Sequence, residues 1–298
     1  MRRGILYGIG AAVCFGASIP LSKRLLDAGV EPLVLAALLY LGSGLGPALQ
    51  LLFRRGKSTE RPLRGRDLRW LVPATVCGGM VAPVLLALGV DRIPASESSL
   101  LLSLEGAFTA LLAWIVFGER AGKRVAFGLA LLVAGSVLLS FRPGQLALEW
   151  GALAVAGACL AWAIDNNLVK QIAGTDPVPI VAFKGLVSGT VNVGVALLLG
   201  LHLPSALLVA LILATGYLTY GLCLVCMVRS MREIGAARMA AFFSTAPFVG
   251  VLLSVAALGE RPGPLFLAAA ALVAGGLFLF ATETVPYADA LTRPCPRP

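Results

Sequence analysis

The feature that most limits what this chain can fold into is a series of ten long apolar blocks. Each block is close to the roughly 20 residues that a helix needs to cross the hydrocarbon core of a bilayer. Open strands find no backbone partners in lipid, and the blocks lack the alternation of a barrel. The sequence therefore predicts an all-α integral membrane protein. Its ten transmembrane helices are expected at residues 4–22, 33–53, 70–90, 96–117, 124–141, 150–169, 178–200, 204–228, 236–258 and 264–282.

The composition excludes several other classes of protein. Hydrophobic residues make up 58% of the chain and charged residues 13%, whereas a soluble domain carries about 25% charged residues. His202 is the single histidine, which argues against a histidine-based metal centre or catalytic triad. The net charge of +9 comes from basic residues clustered between apolar blocks. We therefore predict no metal site, no cofactor and no nucleic-acid partner.

The distribution of basic residues predicts the orientation. Ten crossings place both termini on one side, and 18 of the 24 Lys and Arg residues fall on that side against five on the other. By the positive-inside rule both termini are expected in the cytoplasm. The block after Arg2 and Arg3 recurs inside the chain, so we interpret it as a true span and not a signal peptide. The predicted location is the cytoplasmic (inner) membrane, with multiple passes.

The two halves of the chain resemble each other. A shift of 147 positions aligns Phe15 with Trp162, and a shift of 141 aligns residues 118–120 with 259–261, both of which read Gly-Glu-Arg. Each half has five spans, so the second half must enter the membrane from the opposite side. Such inverted repeats are typical of secondary transporters.

The repeat divides the chain into three predicted parts. Residues 1–145 form the first five-helix repeat, residues 146–283 form the second, inverted repeat, and residues 284–298 form a polar cytoplasmic tail.

The paired Gly-Glu-Arg motifs give the chain a family resemblance, together with the glycine- and aromatic-rich openings of spans one and six and the small residues of spans five and ten. Over residues 4–282 the chain resembles the drug/metabolite transporter superfamily, EamA type. The resemblance implies a bundle in which spans one to four and six to nine surround a central cavity, with five and ten outside. It also implies transport of amino acids, nucleotide sugars, other metabolites or drugs, mostly outward in bacteria.

Ionisable residues inside spans are candidates for function because lipid makes them costly. Asp165 and Lys184 lie at similar depths from the same side and are expected to form a buried pair. The pair either fixes helix packing or, with Asn166, binds a polar solute. Glu105, near the middle of span four, is either a proton carrier or a hydrogen-bonded packing residue. Glu97 and Arg238 occupy equivalent repeat positions and are candidates for two chemically unlike gates, or else reach interfacial water.

Aromatic residues supply further candidates for a solute site. Tyr217 and Tyr220 on span eight could line a cavity or anchor the helix at the interface. Phe15 and Trp162 match across the repeat and are expected to face the centre.

Residues at span ends have simpler interpretations. Lys23 is expected to extend its ammonium group toward water. Glu119 and Glu260 of the Gly-Glu-Arg motifs are interpreted as helix caps or loop partners that mark the family.

The function predicted from these features is secondary transport of a small polar metabolite, namely an amino acid, a related compound or a drug-like solute. Transport is expected to be outward, by alternating access, with protons as the favoured coupling ion. No nucleotide-binding loop is present in the sequence, and no enzymatic activity is predicted. The alternatives are a non-transporting membrane subunit and a lipid-acting membrane enzyme. The oligomeric state stays open, with a homodimer as one option.

Overall fold

The computed structural model describes residues 2–53, 61–117, 123–140, 149–172, 174–234, 239 and 242–282. Within these residues the chain is helical and forms no β-strand. The helices are α1 (Arg2–Gly16), α2 (Ser18–Asp27), α3 (Pro32–Phe53), α4 (Leu68–Ala74), α5 (Ala82–Arg92), α6 (Ala95–Leu101), α7 (Leu104–Phe117), α8 (Lys123–Ser140), α9 (Trp150–Lys170), α10 (Pro177–Leu198), α11 (Ala206–Gly216), α12 (Leu222–Ile234), α13 (Ala246–Leu258) and α14 (Pro264–Thr282).

These helices correspond to the ten spans expected from the sequence. Span 1 is α1 and α2, span 2 is α3, span 3 is α4 and α5, span 4 is α6 and α7, and span 5 is α8. Spans 6 and 7 are α9 and α10, span 8 is α11 and α12, and spans 9 and 10 are α13 and α14. In the described part of the chain, seven of these spans are long and apolar enough to cross a membrane, and α13 and α14 contain shorter apolar stretches.

Five spans are interrupted in the part of the chain that the structure describes. Span 1 breaks at Ala17, span 4 at Leu102 and Ser103, and span 9 at Ser244 and Thr245. Spans 3 and 8 each contain a π-helical segment, Thr75–Val81 and Tyr217–Gly221. Because spans 3 and 8 are equivalent in the repeat, the same irregularity occurs in both halves. A π-helical turn disturbs the regular hydrogen-bond ladder and is common at functional sites.

Eight spans pack in a closed ring, in the order 2, 8, 1, 9, 4, 6, 3, 7 and back to 2. Spans 5 and 10 pack on each other outside this ring and touch it at span 4. The placement of spans 5 and 10 outside the other eight, which the family resemblance implied, is therefore confirmed. Glycines allow the closest crossings: a Cβ atom on Gly44 of span 2 would lie 2.5 Å from the backbone of span 7.

The packing repeats with the sequence. Spans 1 and 8 are in contact, and so are their equivalents 6 and 3; the same holds for 2 with 8 and 7 with 3. The ring thus consists of two equivalent groups, the 1-2-8-9 bundle and the 3-4-6-7 bundle. Around the ring they meet at two seams, between spans 2 and 7 and between spans 4 and 9.

Candidate functional site: a polar centre inside the ring

The π-helical segment of span 3 is held by polar side chains from three other spans. Gly78 O accepts hydrogen bonds from Tyr40 Oη of span 2 (2.7 Å) and Trp162 Nε1 of span 6 (2.9 Å). Met80 O accepts one from Asn192 Nδ2 of span 7 (3.2 Å). Lipid cannot satisfy backbone carbonyls that a helix leaves open. The irregular segment is therefore stable because side chains from the ring replace the missing backbone partners.

Two glycines in the same segment let span 3 approach the polar side chains of its neighbours. A Cβ atom on Gly78 would collide with the Asp165 carboxylate, and one on Gly79 would collide with the Ser188 hydroxyl. The Gly78-Gly79 pair is therefore required for the close fit of span 3 against spans 6 and 7.

Asp165 and Lys184 form the ion pair that the sequence suggested. Lys184 Nζ donates to both carboxylate oxygens, at 2.6 Å for Oδ1. The side chains of Lys184 and Asp165 are 16% and 6% exposed, respectively. Burying two charges costs solvation that their attraction only partly restores. The pair is thus weak evidence for stability and leaves a charged centre between spans 6 and 7.

Glu105 of span 4 is linked to span 6 by a hydrogen bond with the side chain of Asn166. Its Oε1 accepts a hydrogen bond from Asn166 Nδ2 (2.9 Å), and the same nitrogen lies 3.3 Å from Thr109 Oγ1. Glu105 and Lys184 thus contact span 6 at the adjacent residues Asn166 and Asp165, and these four residues are called the polar centre below.

A row of aromatic rings from both halves of the chain runs beside this centre. Phe15 contacts Phe243 and Tyr220, with ring centroids 5.2 and 6.1 Å apart. Tyr220 contacts Tyr40 at 5.7 Å, and Tyr40 Oη accepts a hydrogen bond from Trp162 Nε1 (2.9 Å). Phe15 and Trp162, which match across the repeat, thus belong to one connected row, in which Tyr220 and Tyr40 lie between them. Such rings offer an apolar surface with hydroxyl groups at its edge.

The space beside the row is nearly closed. A cavity of about 10 Å³ lies between Tyr40, Tyr220, Ser22 and the α5 residues Pro83 and Val90. That volume holds about one water molecule. The structure therefore represents a conformation in which this part of the interior is shut.

The remaining candidates lie elsewhere. Glu97 is half-buried in the first turn of α6, before the break in span 4. Tyr217 is 40% exposed and packs over Gly46 of span 2, away from the aromatic row. Arg238 lies outside the described residues.

Sequence reasoning missed several residues around the polar centre. Ser188 and Asn192 follow Lys184 at intervals of four on span 7, a spacing that places all three on one helix face. This stripe is a signal that could have been found. Tyr40 and Phe243 give no such signal, because an aromatic residue in an apolar helix is not distinctive by itself.

The fold and the polar centre together define a helical membrane transporter. The model of the EamA-like transporter family matches residues 2–141 and again residues 149–282. The chain belongs to this family.

Two relatives match most of the chain. An "uncharacterized transporter" of Methanothermobacter thermautotrophicus is 27% identical over 282 residues, covering 87% of this chain and 81% of the relative. The "probable terminal-alkyne amino-acid exporter" of Streptantibioticus cattleyicolor is 26% identical over 229 residues, covering 76% and 77% of the two chains.

Two further likenesses are more limited. The "probable 4-amino-4-deoxy-L-arabinose-phosphoundecaprenol flippase subunit ArnE" of Salmonella enteritidis is 35% identical over 112 residues, covering 36% of this chain and 92% of the relative. A crystal structure with 22% identity superposes with a TM-score of 0.64, covering 93% of this chain and 96% of the other, and shows the fold alone.

Proposed function

We propose that this transporter moves a small solute with an amino group, an amino acid or a related compound, out of the cell by alternating access. The observation that carries the proposal is the combination of Glu105, Asp165 and Lys184 beside an aromatic row, inside a ring of helices. A carboxylate of the centre binds the solute's ammonium group, and Lys184 binds its carboxylate. The rings contact its apolar part.

The similarity to an amino-acid exporter supports this substrate class, because that relative covers three quarters of the chain. The two matches of the family model support two repeats, at residues 1–145 and 146–283. We further propose that the protein lies in the cytoplasmic membrane with both termini inside. No ATP-binding segment was found in the sequence, so the energy comes from the solute gradient or from protons.

We assign proton coupling to Glu105. It is a carboxyl group among apolar helices, its partner Asn166 is neutral, and it follows the break in span 4 by two residues. If this carboxyl group exchanges its proton when the solute binds, the transport of protons is linked to the transport of the solute.

The test uses purified protein in liposomes and a panel of amino acids, amines and neutral drugs. We expect a pH gradient to drive uptake of one amino acid class. Glu105→Gln should abolish the pH-driven component and keep solute exchange, because the amide preserves the shape and hydrogen-bond acceptor of the side chain. Glu31→Gln is the matched control, since Glu31 is exposed at the start of span 2. Equal pH-driven uptake by Glu105→Gln and the parent protein would contradict the assignment.

A second candidate is a non-transporting membrane subunit, favoured by the partial match to a flippase subunit. The same liposomes distinguish it, because a subunit without its partner would neither exchange nor accumulate any solute of the panel.

A further inference from the structure

The short turn between spans 3 and 4 is held from both sides by charged residues of the other bundle. Lys23 Nζ of span 1 donates to Val90 O (2.9 Å) and Asp91 O (3.0 Å) at the end of α5. The Glu260 carboxylate, which follows span 9, accepts hydrogen bonds from the backbone N–H groups at the start of α6. Its two oxygens bond Ala95 N (2.7 Å) and Ser96 N (2.9 Å).

Each charge matches the helix end that it contacts. The carbonyl groups at the end of a helix carry partial negative charge, and the N–H groups at the start of a helix carry partial positive charge. A lysine at the end of α5 and a glutamate at the start of α6 are therefore both favourably placed. Hydrogen bonds with one charged partner are also shorter and stronger than neutral ones.

The Gly-Glu-Arg motif explains how Glu260 reaches span 4. Gly259 ends α13 in the left-handed conformation, with φ at 70°. Glycine adopts this conformation without strain and commonly ends helices in this way. The chain thereby leaves the axis of span 9, and the next side chain points at the neighbouring span.

Both sets of contacts join the two bundles: Glu260 crosses the seam between spans 4 and 9, and Lys23 reaches from span 1 to the end of span 3 beside that seam. Lys23 and Glu260 belong to the 1-2-8-9 bundle, and the turn belongs to the 3-4-6-7 bundle. Below the turn the same seam is closed by direct packing: a Cβ atom on Gly250 of span 9 would lie 2.7 Å from Ser99 Oγ of span 4. The charged contacts are therefore the outermost closure of the seam, on the face opposite the termini.

The small interior cavity lies directly beneath this closure. Val90, whose carbonyl accepts from Lys23, lines the cavity together with Ser22, and its inner wall is formed by Tyr40 and Tyr220 of the aromatic row. A solute that passes between the polar centre and the face opposite the termini must therefore move past the turn.

We propose that Lys23 and Glu260 form a clasp on the turn between spans 3 and 4, and that this clasp closes the transport path on the face opposite the termini. The inference rests on the proposed alternating-access function. Lys23 and Glu260 act as positioning residues: they hold the turn and do not touch the solute. Releasing them lets the two bundles separate at the seam between spans 4 and 9.

The test measures access to the cavity and needs no solute. Ser22→Cys is introduced into a protein whose six native cysteines are replaced by alanine. A membrane-impermeant maleimide is then applied separately to each face of the membrane. The parent should react slowly from the face opposite the termini. Adding Lys23→Met and Glu260→Gln should raise that rate roughly tenfold, since hydrogen bonds to charged groups are lost, without a similar rise from the terminal face.

Arg24→Met is the matched control. Arg24 is the neighbour of Lys23 and also donates to the end of a helix, at Ala257 O, but that helix belongs to its own bundle. Its loss should leave the labelling rate unchanged. The melting temperature of each variant shows whether it is folded, and Glu260→Gln alone replaces the double variant if the latter does not fold.

The outcomes separate this inference from the proposed function. Faster labelling of the clasp variants supports the clasp even where no tested solute is transported. Equal labelling of the clasp variants and Arg24→Met shows that Lys23 and Glu260 only stabilise the fold, and overturns the clasp even where amino-acid transport is measured.

Discussion

At the residue scale, the charged centre combines what the sequence shows with what only packing shows. The depth of Asp165 and Lys184 in neighbouring spans was enough to predict their pairing, because two buried opposite charges need each other. The partner of Glu105 could not be predicted in this way. Asn166 lies in a different span, and its approach depends on how spans 4 and 6 cross.

The Asp165–Lys184 pair provides a quantitative prediction. Asp165→Asn or Lys184→Met alone should lower the free energy of unfolding by about 3–5 kcal/mol, because each leaves a buried charge unpaired. The double variant should recover much of this loss while losing affinity for the solute. Denaturant unfolding of the parent, the two single variants and the double variant, with solute binding measured on each, gives a double-mutant cycle for the pair.

The exposed Asp91–Arg92 pair, at 3.5 Å, is the control for that cycle. Its interaction energy should be below about 1 kcal/mol, as for other surface pairs. If the Asp165–Lys184 double variant is stable and binds solute like the parent, the pair serves only packing.

At the element scale, the spans themselves were predictable and their irregularities only in part. Span 10 is found at the predicted residues 264–282, and span 6 differs from the prediction by one residue. Hydrophobicity determines which segments cross the bilayer. Pro20, Pro83 and Pro247 follow the interruptions of spans 1, 3 and 9 by two or three residues, and a proline disturbs a helix because it removes a backbone donor. The break in span 4 and the π-helical segment of span 8 have no proline beside them and depend on contacts with other helices, which a local pattern does not contain.

The side chains that complete the π-helical segment of span 3 should contribute to stability. Asn192→Leu removes the donor to Met80 O and should lower the free energy of unfolding by about 1 kcal/mol, a typical value for a side-chain hydrogen bond within a membrane. Thermal unfolding in detergent is the measurement. Val191→Leu is the control, since Val191 is adjacent in sequence and 42% exposed. Equal melting temperatures for Asn192→Leu and the control would show that the carbonyl does not need this donor.

At the scale of the whole molecule, contacts around the ring follow the repeat in the sequence: spans 1 and 8 are in contact, as are their equivalents 6 and 3, and the same holds for 2 with 8 and 7 with 3. The family resemblance implied a group of eight spans with two outside it, and the order of the eight spans was not predicted. The orientation in the membrane rests on the basic residues alone.

Labelling of intact cells tests that orientation. Arg66 and His202 are both exposed, in the loops after spans 2 and 7, on opposite faces of the membrane. In the cysteine-free protein, an impermeant maleimide should label His202→Cys and not Arg66→Cys, because the loop with more basic residues faces the cytoplasm. The reverse pattern would place the termini outside.

The seam between spans 2 and 7 differs in kind from the seam between spans 4 and 9. Gly44 and Gly185 meet there backbone to backbone, with no side chain interposed. Under the clasp mechanism proposed above, this contact is the place where the two bundles turn against each other, because backbone meets backbone there. A small rotation about the two glycines would then produce a larger displacement at the opposite seam, between spans 4 and 9.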